Sequence, residues 1–272
     1  MGKKDFKKWV LARVKRAIVD YGMIDHGDRL VVGLSGGKDS GVLLSALEAI
    51  RRSAPVKFHL HGVFLDLGFG MEVAPLAEFC RRLGVPFTHR RTGIGEIVFN
   101  VRHEKNPCAL CSTLRRGALN DLALDLGCNR VALGHHLDDV VDTFFMSLFY
   151  NGQLRTFSPN TFLDRTGLFM IRPLVYLGQE TVREMAVLEK VPVLENPCPA
   201  SGLTKRQEIK TLVEGLRESY PDLREKVLSA LQGADLQNLW PGTRPRIPRA
   251  EFRKLLEEGI YRRQETGGRR QE

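Results

Sequence analysis

Apolar residues recur with two different periods along this chain, and the alternation between the two periods predicts its architecture. Phe6, Trp9, Val10, Val14, Ala17, Ile18 and Tyr21 return every three or four positions with Lys and Arg between them, the spacing of an amphipathic helix. A continuous apolar run follows at 29–34, then a helical pattern over 40–52, and then a second run, His59–Leu65, that stops at Asp66. A helix over 72–83, a strand near Pro86–Arg90, a helix over 112–126 and a strand at Arg130–Gly134 complete the series. Strands that alternate with helices predict an α/β fold: a doubly wound parallel sheet with an N-terminal helix and C-terminal helices.

Farther on, the aromatic and Met-rich stretch Val140–Tyr150 reads as a buried helix. Residues 161–174 read as a hairpin turning at Asp164–Gly167, and helical patterns return over 179–190, 203–217 and 222–231. From Gly233 prolines break the pattern, which predicts a loosely ordered basic tail with one short helix near 249–258. The expected divisions are a basic helix at 1–27, a central domain at 28–200, helices at 201–232 and the tail at 233–272.

With 272 residues and 43% hydrophobic content, the chain can bury a sizeable core. Val140–Tyr150 is interrupted by Asp142, Thr143 and Ser147 and is too short to span a bilayer, and the N-terminus has no uninterrupted apolar segment of a signal peptide. A cytoplasmic protein with no membrane partner is expected. The net charge of +9 suits a polyanionic partner, because it is concentrated at the ends: seven Lys and Arg against one Asp in 1–16, and nine against six acids in 234–272. Five cysteines, an odd number, argue against a disulfide framework, and Cys80 and Cys128 read as plain buried thiols.

Candidate chemistry gathers where the strands end, since ligands of such sheets bind beyond the carboxyl ends of their strands. After the first strand comes Ser35-Gly36-Gly37-Lys38-Asp39-Ser40, a turn into a helix that directs backbone N–H groups at one point. Its spacing is neither that of a Walker A loop nor that of a dinucleotide fingerprint. Lys38 can neutralise a phosphate and Asp39 can help hold Mg2+. The fourth strand ends in His135, His136, Asp138 and Asp139, with the paired acids at a helix start suited to metal or ribose contacts. Asp66, after the second strand, is either an ATP contact or a turn residue.

Pro107-Cys108-Ala109-Leu110-Cys111 opens a helix, a position that lowers thiol pKa and suits a soft metal, a redox pair or an iron-sulfur cluster. Cys198 stands in a second proline-framed loop. Three thiolates without an evident fourth ligand suit a 4Fe-4S cluster with one open iron, while zinc completed by His103 is the structural alternative.

The Ser35–Ser40 loop resembles the PP-loop of the ATP pyrophosphatases. The blocks MIDHGDRLVVGLSGGKDS, PCALCSTLRRG, GHHLDDVVDTFFMSLFYNGQL, MIRPLVYL and ENPCP, in that order, resemble the tRNA 2-thiocytidine synthetases. The resemblance implies an ATP site formed by Ser35, Gly36, Gly37, Lys38, Asp39, Ser40, Asp66, His135 and His136, and a 4Fe-4S cluster on Cys108, Cys111 and Cys198. It also implies thiolation of tRNA at cytidine 32; Asp39, Asp138, Asp139 and Arg115 are the catalytic candidates, with Arg115 or Arg116, one turn into the helix behind the cysteine pair, contacting a phosphate or else lying on a solvated helix face. Sulfur would come from a donor such as a cysteine desulfurase or free sulfide, and a homodimer is an open expectation. Ser201 stands where the family carries a further cysteine outside the cluster. Two other classes stay open: a PP-loop ligase of the lysidine or NAD-synthetase kind with a structural zinc, and a non-catalytic nucleotide-binding RNA protein.

Overall fold

The computed structural model describes residues 2–102, 107–195, 197–199 and 205–235. The expected tail helix near 249–258, His103 and Ser201 lie outside these residues. The strands are β1 (Arg29–Leu34), β2 (His59–Asp66), β3 (Phe87–Arg91), β4 (Arg130–Ala132), β5 (Asn160–Leu163) and β6 (Leu168–Ile171). They form one sheet in the order β3-β2-β1-β4-β6-β5, in which β5 alone runs antiparallel, paired with β6 through the expected hairpin.

Helices cover both faces. On one side α1 (Lys3–Asp20), α2 (Lys38–Ser53) and α7 (Gln179–Leu188) share a core with the sheet, in which Val10, Val14, Leu43, Leu47, Val182 and Met185 are fully buried. On the other side α5 (Pro107–Asp125) sets Leu119, Leu122 and Ala123 against Val31, Val63 and Val131. Alternate residues of β1 therefore face opposite helical layers, Val31 one way and Leu30 and Val32 the other. A third cluster joins α6 (Leu137–Asn151), α8 (Lys205–Ser219) and α9 (Leu223–Gln232) through Leu137, Val141, Ile209, Val213 and Val227. The helix α3 (Ala74–Leu83) links β2 to β3.

Two details differ from the sequence-based expectation. A short helix, α4 (Ile94–Glu96), runs into a π-helical turn at Ile97–Val101, a stretch too brief to show periodicity. The helix α6 is buried along its first half, but Phe149 is 54% and Tyr150 41% exposed.

At the amino-terminal edge of the sheet Arg130 is buried between Asp28 and Asp25, and Asn129 donates to Asp28 at 2.7 Å. This clamp fixes the starts of β1 and β4, whose opposite ends carry the polar clusters. The chain divides into a unit Met1–Leu231 and a second unit, Gln232–Glu272. Among the described residues no helix is long and apolar enough to cross a membrane.

Candidate functional site

The chain leaves β1 through a loop that only glycine can make at its apex. Gly36 has φ +81°, and a Cβ there would stand 3.1 Å from Met71 and 3.2 Å from Leu194. Ser35 braces the turn: its N–H donates to Ser40 Oγ at 3.1 Å, its Oγ accepts from the Gly37 N–H at 3.3 Å, and Ser40 Oγ donates to the Gly37 carbonyl at 3.0 Å. The helix α2 begins at Lys38 after Gly37, which provides no side-chain cap, so its first amides are left open to the space above the loop. Lys38 and Asp39 pair at 2.9 Å beside that opening.

From β4, Gly134 passes so close to α2 that a Cβ would lie 2.9 Å from the Asp39 carbonyl carbon and the Ser40 nitrogen. This backbone contact brings the ends of β1 and β4, the point at which the sheet order reverses, into one cleft of about 430 Å3. Ser35, Asp39, Ser40, His135, Asp139 and Arg115 line it, together with Arg116, Arg172 and Arg206. His135 packs its ring 5.0 Å from that of Phe157, and burial pushes its pKa down to about 4 against the pull of Asp139. It is therefore a neutral ring in the cleft at physiological pH. His136 is buried behind, its Nδ1 3.6 Å from Asp138 and 3.5 Å from Asp139 and its Nε2 3.9 Å from Asp39.

The paired acids part company. Asp139 faces the cleft, where it accepts from the His136 N–H at 3.0 Å and from Arg206 at 3.2 Å. Asp138 turns to the helices instead, accepting from the Gln179 N–H at the start of α7 and from Arg224 of α9, each at 2.7 Å. Asp66 lies outside the cleft lining. Its carboxylate accepts from the Gly68 N–H at 2.8 Å and meets His89 at 3.3 Å, the pattern of a turn residue. Arg172 and Arg206, which sequence reasoning did not single out, complete the wall. The one local signal for Arg172 is its place directly after β6, at the ligand-binding edge of a parallel sheet.

The helix α5 joins the cysteines to this cleft. Pro107 opens it, Cys108 and Cys111 fall within its first five residues, and Ser112, Arg115 and Arg116 line the cleft. At 1.5 Å of rise per residue, Cys111 stands about 6 Å along the axis from Arg115. Burial pushes the Cys111 thiol up, and the Arg115 charge lowers it less than burial raises it. The lowering expected of a thiol at a helix start is therefore overridden. The Cys198 and Cys108 thiols also push Cys111 up, so Cys198 lies within electrostatic reach of Cys111 despite its distance in sequence. The chain leading to Cys198 is tied to the glycine loop: the Leu194 N–H donates to the Gly36 carbonyl at 2.8 Å. Cys108 is exposed and Cys111 and Cys198 are half-buried, whereas Cys80 and Cys128 are buried and all five are free of disulfides.

A crossed α/β sheet whose first strand opens into this glycine loop is the frame of a PP-loop protein, and residues 8–214 match the PP-loop domain. The chain is 38% identical over 83% of its length to the tRNA-cytidine(32) 2-sulfurtransferase of Pelobacter propionicus, covering 86% of that relative. It is 40% identical over 80% of its length to the protein of that name from Methylococcus capsulatus, covering 76% of it. The chain belongs to the tRNA-cytidine(32) 2-sulfurtransferase family. In fold it is similar to the U34-tRNA thiolase NcsA of Methanococcus maripaludis, solved with its 4Fe-4S cluster, at TM-score 0.70 and 21% identity over 89% of this chain and 82% of that one.

Proposed function

We propose that this chain is an ATP-dependent tRNA sulfurtransferase that converts cytidine 32 to 2-thiocytidine. The observation that carries the reading is the double use of α5, which bears Cys108 and Cys111 within its first five residues and Arg115 and Arg116 in the wall of the phosphate-loop cleft. A sulfur-handling group and a nucleotide site thus share one short stretch of backbone.

The glycine loop and the open start of α2 receive the ATP phosphates, with Lys38 offsetting their charge and Asp39 holding Mg2+. The C2 oxygen of the base attacks the α-phosphate, a P–O bond forms and pyrophosphate leaves. Sulfur at the oxidation level of sulfide then adds at C2, the C2–O bond breaks and AMP departs with the oxygen, so the exchange needs neither oxidant nor reductant. Arg115 and Arg206 face the charge that develops on the departing phosphate. The neutral His135 ring offers a stacking surface without adding charge. Asp139 is the cleft acid of the pair, and Asp138 positions α7 and α9.

The three cysteines fit a 4Fe-4S cluster by their chemistry: soft thiol donors, accessible or half-buried, with Cys111 in electrostatic reach of Arg115, Cys198 and Cys108. Held by Cys108, Cys111 and Cys198, such a cluster supplies an open iron position for sulfide delivered by a cysteine desulfurase or taken up free. Nucleoside mass spectrometry of tRNA from a deletion strain tests the whole reading. Wild-type protein should restore 2-thiocytidine and Asp39→Ala should not. Normal 2-thiocytidine in the uncomplemented strain would overturn it.

A further inference from the structure

The buried and half-buried arginines of this fold are matched with acids almost throughout: Arg130 with Asp28 and Asp25, Arg206 with Asp139, Arg217 with Glu180, Arg224 with Asp138 and Glu180. Arg172 breaks the pattern. It is 8% exposed, yet its guanidinium meets only the Ser158 carbonyl at 2.6 Å, Thr161 Oγ1 at 3.4 Å, the Met170 sulfur at 3.3 Å and the face of Phe157 at 4.9 Å. Its Nε is buried without a hydrogen-bond partner, and among the described residues no carboxylate pairs with it. Across the cleft, Arg116 projects from α5, also without an acid among the described residues, and the two charges face the same space. Burial first, and the Arg116 charge after it, bring the Arg172 pKa down to about 10.

We propose that Arg116 and Arg172 form a phosphate-binding subsite, separate from the glycine loop, that takes a backbone phosphodiester of the substrate RNA beside the target base. The inference rests on the RNA-thiolation reading above and extends it. A desolvated guanidinium without a counter-ion is costly, and a phosphodiester supplies that counter-ion with acceptor geometry that matches the fork. The glycine loop follows β1, and β4 separates β1 from β6, so Arg172 sits two strand spacings, about 10 Å, from the loop's strand. That places it on the far wall from the ATP phosphates, where an RNA entering the cleft would bring its own backbone. The two sources of phosphate, ATP and RNA, are separated by experiment.

Binding of a synthetic anticodon stem-loop, and separately of a non-hydrolysable ATP analogue, is measured for the full chain over a salt series. Arg116→Gln lies on an exposed helix face and leaves the fold intact. It should reduce the slope of log K against log salt for the stem-loop by about 0.7–0.9, the loss of one phosphate contact, and change analogue affinity less than twofold. Arg172→Lys keeps the charge but not the fork and should weaken stem-loop binding about tenfold, with thermal unfolding confirming its fold. An unchanged slope in Arg116→Gln, while wild type still thiolates, overturns the subsite alone. A tenfold loss of analogue affinity with an unchanged slope assigns the pair to ATP and likewise overturns it. If wild type neither binds nor thiolates the stem-loop, the RNA-thiolation reading falls and the subsite with it.

Discussion

The amide of Leu194 donates a 2.8 Å hydrogen bond to the carbonyl of Gly36, joining the segment that leads to Cys198 to the apex of the phosphate loop. Occupancy of the loop and placement of the third cysteine therefore share one backbone contact. Gly36→Ala attacks that contact twice, through a left-handed φ of +81° and through crowding against Leu194. The variant should lose about 1–2 kcal/mol of stability, read by urea unfolding, together with most of its ATP-to-AMP turnover.

Asp39→Ala should abolish AMP formation and leave the fold unchanged. Asp39 lies at an open helix start, paired with the neighbouring Lys38 at 2.9 Å and no closer than 3.9 Å to the buried His136. Normal AMP release from a folded Asp39→Ala protein would remove Asp39 from the reaction.

The two acids of α6 should separate stability from catalysis. Asp138→Asn loses the charge that caps α7 and grips Arg224, and should cost about 1–3 kcal/mol in urea unfolding. Asp139→Asn should be the milder for stability and the more damaging to turnover. The reverse ranking would exchange their roles.

Cys198→Ala should cost iron and thiolation together while RNA-dependent pyrophosphate release persists. Cys80→Ala and Cys128→Ala, both buried thiols, should keep iron and activity with only packing losses. Full iron content in Cys198→Ala would replace the three-cysteine site with a relay between Cys108 and Cys111.

Acid dependence of stability carries two opposed contributions. His135 has its pKa lowered by burial from 6.5 to about 4, so the unfolded chain binds this proton first and stability is lost as pH falls through that window. Asp142, 2% exposed, has its pKa raised by burial from 3.8 to about 6, so its neutral form favours the fold below that window and the benefit is lost as pH rises through it. The two nearly cancel between pH 4 and 6. Asp142→Asn should raise stability at pH 7 by roughly 2 kcal/mol and uncover a fall of about 3 kcal/mol on acidification to pH 4. A profile parallel to wild type would show that Asp142 is not the opposing group.

The sheet was legible because its strands are short apolar runs bounded by turns, and the glycine loop because no ordinary strand end needs Ser35-Gly36-Gly37. The cleft was only half legible. Consecutive helix positions diverge by 100°, so of Asp138 and Asp139 only one can face a given side, and composition does not say which. Arg172 carries only the weak mark of following β6 and Arg206 none, since it sits in a polar helix, and only folding brings the two to Ser35. The aromatic stretch of α6 misled in the other direction, since Phe149 and Tyr150 look like core but stay largely exposed, Tyr150 meeting the polar start of α8 through Glu208 and Lys205.

The dependence of Cys111 on a thiol so far along the chain has a consequence for biosynthesis. Cys108 and Cys111 leave the ribosome well before Cys198 does, and β6 with Arg172 emerges in between. A nascent chain thus displays two reactive thiols with neither their third companion nor a finished nucleotide cleft. On the proposed three-cysteine site, iron insertion would wait for Cys198, and a truncated product would carry a cysteine pair open to oxidation.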